Sequence, residues 1–367
     1  MKKEDAASLI VYAVMIGLAL FVGLGIIRPV FAANASVGGN QYAFAIISVI
    51  IGVFINAILL EVGHILGGLI GKYRIHSVNI FGFCFHKKSG KTHFAFRMFD
   101  GLTGETKFLP KSEKSNPRPA TLLPVLLYLI ELVAAIILYA LISTNVDVDL
   151  VWLSIGAIIV ASIGGMMTLY NIVPFKLDAI TDGYRLTLFA KKINIIAYNE
   201  LMLAENGDEP FTPRIFEEIT DFTAEVNLIS VYRNIKEKKF AEAETILTNI
   251  IANEAKTSNS THNRAIAQLL FLKIMNEPLE DAKAYYATIP TSIHRFIAND
   301  LSMPSLRAYV LIAGLMDDAQ GEIMYCLDRK KKAIKYTAPG IAEIENSLFK
   351  EALDKVKVAH PDWKLEQ

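Results

Sequence analysis

Residues 43–71 read AFAIISVIIGVFINAILLEVGHILGGLIG. The run exceeds the roughly 20 apolar residues needed to cross about 30 Å of hydrocarbon, and its only ionisable side chains are Glu61 and His64. Such groups are costly in lipid, so inside a span they mark function. Residues three apart share a helix face, so this spacing directs a carboxylate and an imidazole together, and Glu-x-x-His can hold a metal in a helical bundle. Taken alone, the four residues also fit a buried hydrogen-bonded pair that joins helices.

Three more runs have span length, residues 8–31, 120–143 and 150–174, and predict four transmembrane helices. Lys2 and Lys3 precede the first, but its apolar stretch is longer than the roughly 7–15 residues of a signal peptide, so it reads as an anchor. The composition agrees: 53% hydrophobic, 20% charged and a mean hydropathy of +0.36 are outside the range of ordinary soluble chains. The charge balance of 37 basic against 37 acidic residues gives no electrostatic reason for a nucleic-acid partner. Two distant cysteines, Cys84 and Cys326, exclude a disulfide framework or a CxxC metal knuckle.

The loops at 32–42 and 144–149 contain no Lys or Arg, whereas the 72–118 segment is rich in both. Positive residues stay inside, which places both termini in the cytoplasm and runs the second and fourth spans parallel, outside to inside. Within 72–118, RIHSVNIFGFCFHKK and KTHFAFRMFD alternate aromatic and polar residues. They predict a β-hairpin turning at Ser89-Gly90 and lying on or in the cytosolic leaflet.

A second polar motif, NIVPFKLDAITDGY at 171–184, closes the fourth span. His64 lies roughly 10 Å from the cytosolic end of its helix, the level at which Asp178 or Asp182 could fold back to meet it. In order, topology and motif, about residues 43–190 resemble the site-2 protease family of intramembrane zinc metalloproteases. That family carries HExxH in one span, N-x-x-P followed by DG in a later one, and a β-hairpin region between them. The resemblance implies zinc held by His64 and Asp182, with Asp178 as the alternative ligand. It also implies Glu61 as the base that activates water, and Asn171 and Pro174 as residues that meet the substrate.

The sequence departs from the family at Leu60, which stands where the first zinc-binding His belongs and has no donor atom. Three repairs are open: His76, His86 or His93 completes the ligand set, Glu61 becomes a ligand with Glu131 or Asp178 as base, or the site is metal-free. Glu131 in the third span has no family counterpart; it pairs within the bundle or belongs to an altered site. Two functions follow from the resemblance, a zinc protease that cleaves membrane-embedded peptides and an inactive relative that binds transmembrane clients or partner proteins.

After Asp182-Gly183, apolar residues recur at i, i+3, i+4, i+7, and Pro and Gly punctuate the chain, which predicts an α-helical module over 191–367. Its helix pairs resemble tetratricopeptide-type hairpins, without the clean signature of about 34 residues, and such a stack would hold a cytosolic partner. Tyr285, Tyr286, Tyr309 and Tyr325 are expected in its core, and Arg329 to Lys332 on a solvated helix end. No Walker loop, GxGxxG, GxSxG or kinase signature is present. The expected architecture is therefore a mainly α polytopic membrane protein. It comprises an anchor and outer loop (1–42), a site-2-protease-like core (43–190) with a β-rich cytosolic insertion (72–118), and a cytosolic helical domain (191–367). Its expected surroundings are the lipids of a bacterial plasma membrane.

Overall fold

In the computed structural model, residues 3–33, 40–88, 91–96, 104–143, 148–177, 180–207 and 211–365 are described. The chain is mainly helical and divides into two units, Met1–Ile195 and Ile196–Gln367.

Among the described residues of the first unit four helices are long and apolar enough to cross a membrane: Ala6–Ala32, Asn40–Ile70, Arg118–Leu141 and Trp152–Asn171. The first comprises α1 (Lys3–Phe21), a π-helical stretch over Val22–Ile27, and α2 (Arg28–Ala33). Pro29 has no N–H to donate and its ring crowds the preceding turn, which the wider π-helical turn before it accommodates. The others are α3 (Asn40–Ile70), α4 (Arg118–Ser143) and α5 (Val148–Asn171), packed pairwise against one another. Helices in lipid associate through close backbone approach rather than hydrophobic collapse, and α3 supplies it with Gly63 and Gly67. A Cβ at Gly63 would lie 2.6 Å from Pro124 Cα, and one at Gly67 would lie 2.2 Å from Pro119 O. The outer faces present exposed apolar side chains such as Ile46, Ile50, Leu129, Val133 and Ile136.

Between α3 and α4 the expected hairpin is instead a four-stranded antiparallel sheet in the order β3-β2-β1-β4: β1 (Tyr73–Ile80), β2 (Phe83–Lys88), β3 (Lys91–Phe96) and β4 (Gly104–Pro110). What reads as one long first strand breaks at Phe81-Gly82, where φ is 50° and 87° and Ile80 pairs directly with Phe83. Positive φ at both central residues is the two-residue hairpin turn that matches strand twist. The expected turn at Ser89-Gly90 lies outside the described residues. The sheet also folds back beside α3 rather than projecting from its end, because the Phe81 ring meets Phe54 at 4.6 Å between centroids. Phe54 lies about 24 Å along the helix from Ile70. On the outer part of the sheet, Phe83 pairs with Phe96 and Phe85 with Phe94, all four exposed.

The second unit is helical throughout: the rest of α7 (Lys192–Asn206), then α8 (Asp221–Lys236), α9 (Phe240–Ala252), α10 (Asn259–Asn276), α11 (Leu279–Thr288), α12 (Thr291–Asn299), α13 (Met303–Leu315), α14 (Gln320–Tyr336) and α15 (Pro339–Ala359). Leu247, Leu270, Phe271, Leu306, Leu311, Phe349 and Leu353 are among the side chains of one continuous core. At its centre Arg307 is fully buried, with Nη1 donating to Glu345 Oε2 at 2.9 Å and Nε to Gln268 Oε1 at 2.9 Å, between the rings of Tyr232 and Phe271. Removing one member of such a set would strand a buried charge. Tyr285, Tyr286 and Tyr309 pack against the core as expected, but Tyr325 is exposed. Arg329 is also not a solvated residue: it is buried and donates to the carbonyls of Ala298, Asn299 and Asp300, closing the end of α12. Both cysteines are buried, and neither is in a disulfide.

The α3–α4 contact yields a paired prediction. Gly67→Ala pushes a methyl into the Pro119 carbonyl and lowers the thermal midpoint in detergent by the equivalent of about 1–3 kcal/mol. Gly17→Ala, with nothing within 4 Å of the added carbon, leaves it unchanged.

Candidate functional site

Glu61 is 1% exposed, and one turn further along α3 its neighbour His64 turns the same way. Glu61 Oε2 accepts a hydrogen bond from Thr106 Oγ1 of β4 at 2.5 Å and lies 3.5 Å from His64 Nδ1. Its other oxygen, Oε1, faces Gly104, where a Cβ would sit 2.7 Å away, and has no hydrogen-bond partner among the described residues. The beginning of β4 therefore rests directly on the carboxylate, and a side chain at position 104 would displace it.

Asp182 arrives from beyond the end of α5. After Asn171 the chain folds back on itself: Thr181 Oγ1 donates to Val173 O at 3.1 Å and accepts from Tyr184 N at 3.3 Å, capping α6 (Asp182–Leu188). Gly183 permits this fold-back, because a Cβ there would lie 2.2 Å from Ile172 O. The DG pair thus divides the labour, glycine allowing the approach and aspartate delivering the charge. Asp182 Oδ2 lies 3.0 Å from His64 Nε2, and Oδ1 lies 3.5 Å from Arg185 Nη1. Burial works against the Asp182 carboxylate, but His64 and Arg185 outweigh it and hold the group below the usual carboxylate range.

Of the residues expected at the site, the structure brings together Glu61, His64 and Asp182. Asp178 lies outside the described residues. Asn171 ends α5 and Pro174 is exposed just beyond it, and neither hydrogen-bonds to the three. His76 falls at the irregularity where β1 shifts register against β4, and His86 stacks on His93 across β2 and β3 with ring centroids 5.6 Å apart. Among the described residues no group of three or more His, Cys, Asp or Glu has the arrangement of a metal site. Glu131 faces Asn56 of α3 rather than the Glu61 pair. Two participants escape the sequence reading, Thr106 and Arg185. Arg185 was visible as the residue three after Asp182, whereas Thr106 reaches Glu61 only through the pairing of β4 with β1.

Scans against protein-family models, curated proteins and solved structures find no match to this chain. The site-2 protease resemblance consequently rests on its motifs, and the zinc it implies must be tested against the donors present. Both ring nitrogens of His64 face carboxylate oxygens, Asp182 is already countered by Arg185, and Leu60 is a buried apolar side chain. Catalytic zinc takes three protein donors and an open position. Among the described residues this set offers two of the family's three donors, His64 and Asp182, each engaged by a neighbour, and Leu60 adds none. Its own contacts form a polar chain from Thr106 through Glu61, His64 and Asp182 to Arg185.

Thr106→Val removes the one hydroxyl that Glu61 Oε2 accepts from and costs about 1–3 kcal/mol of stability, the usual loss for a buried polar group left unpaired. Thr106→Ser recovers most of it. Equilibrium unfolding of both variants in detergent checks the contact.

Proposed function

We propose that this protein is a non-hydrolysing, site-2-protease-like integral membrane protein that holds an extended, membrane-embedded segment of a client polypeptide against β4. The observation that carries the reading is the placement of β4. It pairs with β1 on one side only among the described residues, and it sits on Glu61 at the level of the apolar part of α3. A sheet edge exposes a row of backbone donors and acceptors, and in hydrocarbon such groups need partners. A client helix that unwinds at Gly or Pro exposes the complementary row, and adding it as a fifth strand satisfies both.

Hydrolysis is not part of this reading, because the donors that would hold zinc are closed on one another and Leu60 supplies none. Glu61, His64 and Asp182 instead pin β4, α3 and the segment after α5 together and fix the height of the strand edge. The apolar helices and the exposed Phe83, Phe85, Phe94 and Phe96 suit contact with lipid, as expected in a bacterial plasma membrane with both termini in the cytoplasm. The helical second unit suits recruitment of a cytosolic protein. The competing reading, an active zinc protease, has the retained Glu61 and Asp182-Gly183 in its favour.

The test uses the full chain in lipid nanodiscs with a photo-crosslinking residue at Lys107 of β4, and synthetic single-span peptides with or without a central Gly-Pro. The helix-broken peptide crosslinks about tenfold more than the unbroken one, and stays intact when zinc is added. Equal crosslinking of the two peptides would contradict the strand-addition mode. Cleavage that Glu61→Gln abolishes would establish the protease instead.

A further inference from the structure

A second polar group sits within the bundle, apart from the Glu61 site. Asn56 of α3 is fully buried and spends both amide hydrogens, donating to Gly52 O and Val160 O at 2.9 Å each. The reverse orientation would set its oxygen 2.9 Å from two carbonyl oxygens, so Oδ1 is fixed outward. It points toward Gly164 of α5, where a Cβ would lie 2.4 Å from Asn56 Oδ1 and 2.4 Å from Glu131 Oε2. The two oxygens therefore flank one point on α5. Asn56 Oδ1, Glu131 Oε1 and Glu131 Oε2 are all buried with no hydrogen-bond donor among the described residues.

An acceptor facing an acceptor, with the charge of a carboxylate added, is unfavourable without something positive between them. The neighbouring elements do not supply it. On α4 itself, Tyr128 gives its hydroxyl proton to Asn56 O at 2.8 Å, Tyr139 lies about 12 Å beyond Glu131 along the helix, and Arg118, about 20 Å away in the other direction, donates to Phe189 O. On α3 the titratable groups are Tyr42, about 21 Å from Asn56 along the helix, and Glu61 and His64, which engage each other; on α6 Asp182 and Arg185 do likewise. Near Gly164, α5 offers no titratable side chain; Asp149 stands at its start and Tyr170 at its end. Three oxygens from two residues also fall short of the roughly six that a hard metal cation takes.

We propose that Glu131 carries a proton and donates it to Asn56 Oδ1, so that the two residues form a neutral, proton-binding joint among α3, α4 and α5. One hydrogen satisfies the buried amide oxygen and removes the buried charge together. Gly164 leaves the space in which the two side chains meet. The joint is separate from the Glu61 site, and neither its presence nor its failure depends on how that site functions.

Infrared difference spectroscopy of the full chain in nanodiscs near neutral pH, wild type against Glu131→Gln, tests it. The carbonyl stretch of a protonated carboxyl is expected in the wild type and absent from the variant. Glu131→Gln is also expected to unfold at the wild-type midpoint, because its amide can donate to the same oxygen, whereas Glu131→Ala unfolds earlier. Should the variants not fold, wild type alone decides with dicyclohexylcarbodiimide, which adds the O–H of a protonated carboxyl across its C=N bond. Glu131 is then the tagged residue, at a rate that sodium ion leaves unchanged. A wild-type spectrum lacking the band would overturn the proposal. So would tagging that sodium suppresses, which would make the occupant a metal cation.

Discussion

An imidazole held between two buried carboxylates organises the first unit. His64 reaches Glu61 on its own helix and Asp182 from beyond α5, and each contact commits a different part of the chain. Glu61 can accept from Thr106 only if β4 lies along α3, and Asp182 can meet His64 only if the chain folds back at Gly183 against Ile172. Buried ionisable groups are tolerated when they pair and hydrogen-bond, and here the pairing fixes where the strand edge stands relative to the spans.

The helices themselves are held by means suited to an apolar solvent. Gly63 and Gly67 bring the backbone of α4 against α3, and Asn56 and Tyr128 bridge helices through hydrogen bonds to main-chain carbonyls. Polar groups are therefore concentrated on the inner faces of α3, α4 and α5, while Ile, Leu and Val fill the outer ones. The second unit follows the other rule, an extensive apolar core with one buried, fully engaged arginine at its centre.

The spans were legible in the sequence because length and continuous apolarity suffice to define them, and all four lie within a few residues of their expected limits. Glu61, His64 and Asp182 were legible as well, since helical spacing and the DG pair are local signals. The sheet was less so. Gly82 is hidden in a run of aromatic residues, and β4 is a short stretch of mixed polarity whose pairing with β1 is set at a distance. For the same reason Thr106 could not be foreseen at the site. Arg329 misled because it opens a lysine run; only the packing of α12 reveals that its guanidinium closes three carbonyls.

His64 and Asp182, the two family donors that remain, are engaged by neighbouring side chains, and Leu60 contributes none. Zinc stoichiometry of the purified full chain by mass spectrometry, in wild type and Leu60→His, addresses this most directly. The account predicts no bound zinc in the wild type and a gain of zinc in Leu60→His that is lost again with Asp182→Ala. About one zinc per wild-type chain, removed by His64→Ala or Asp182→Ala, would contradict it.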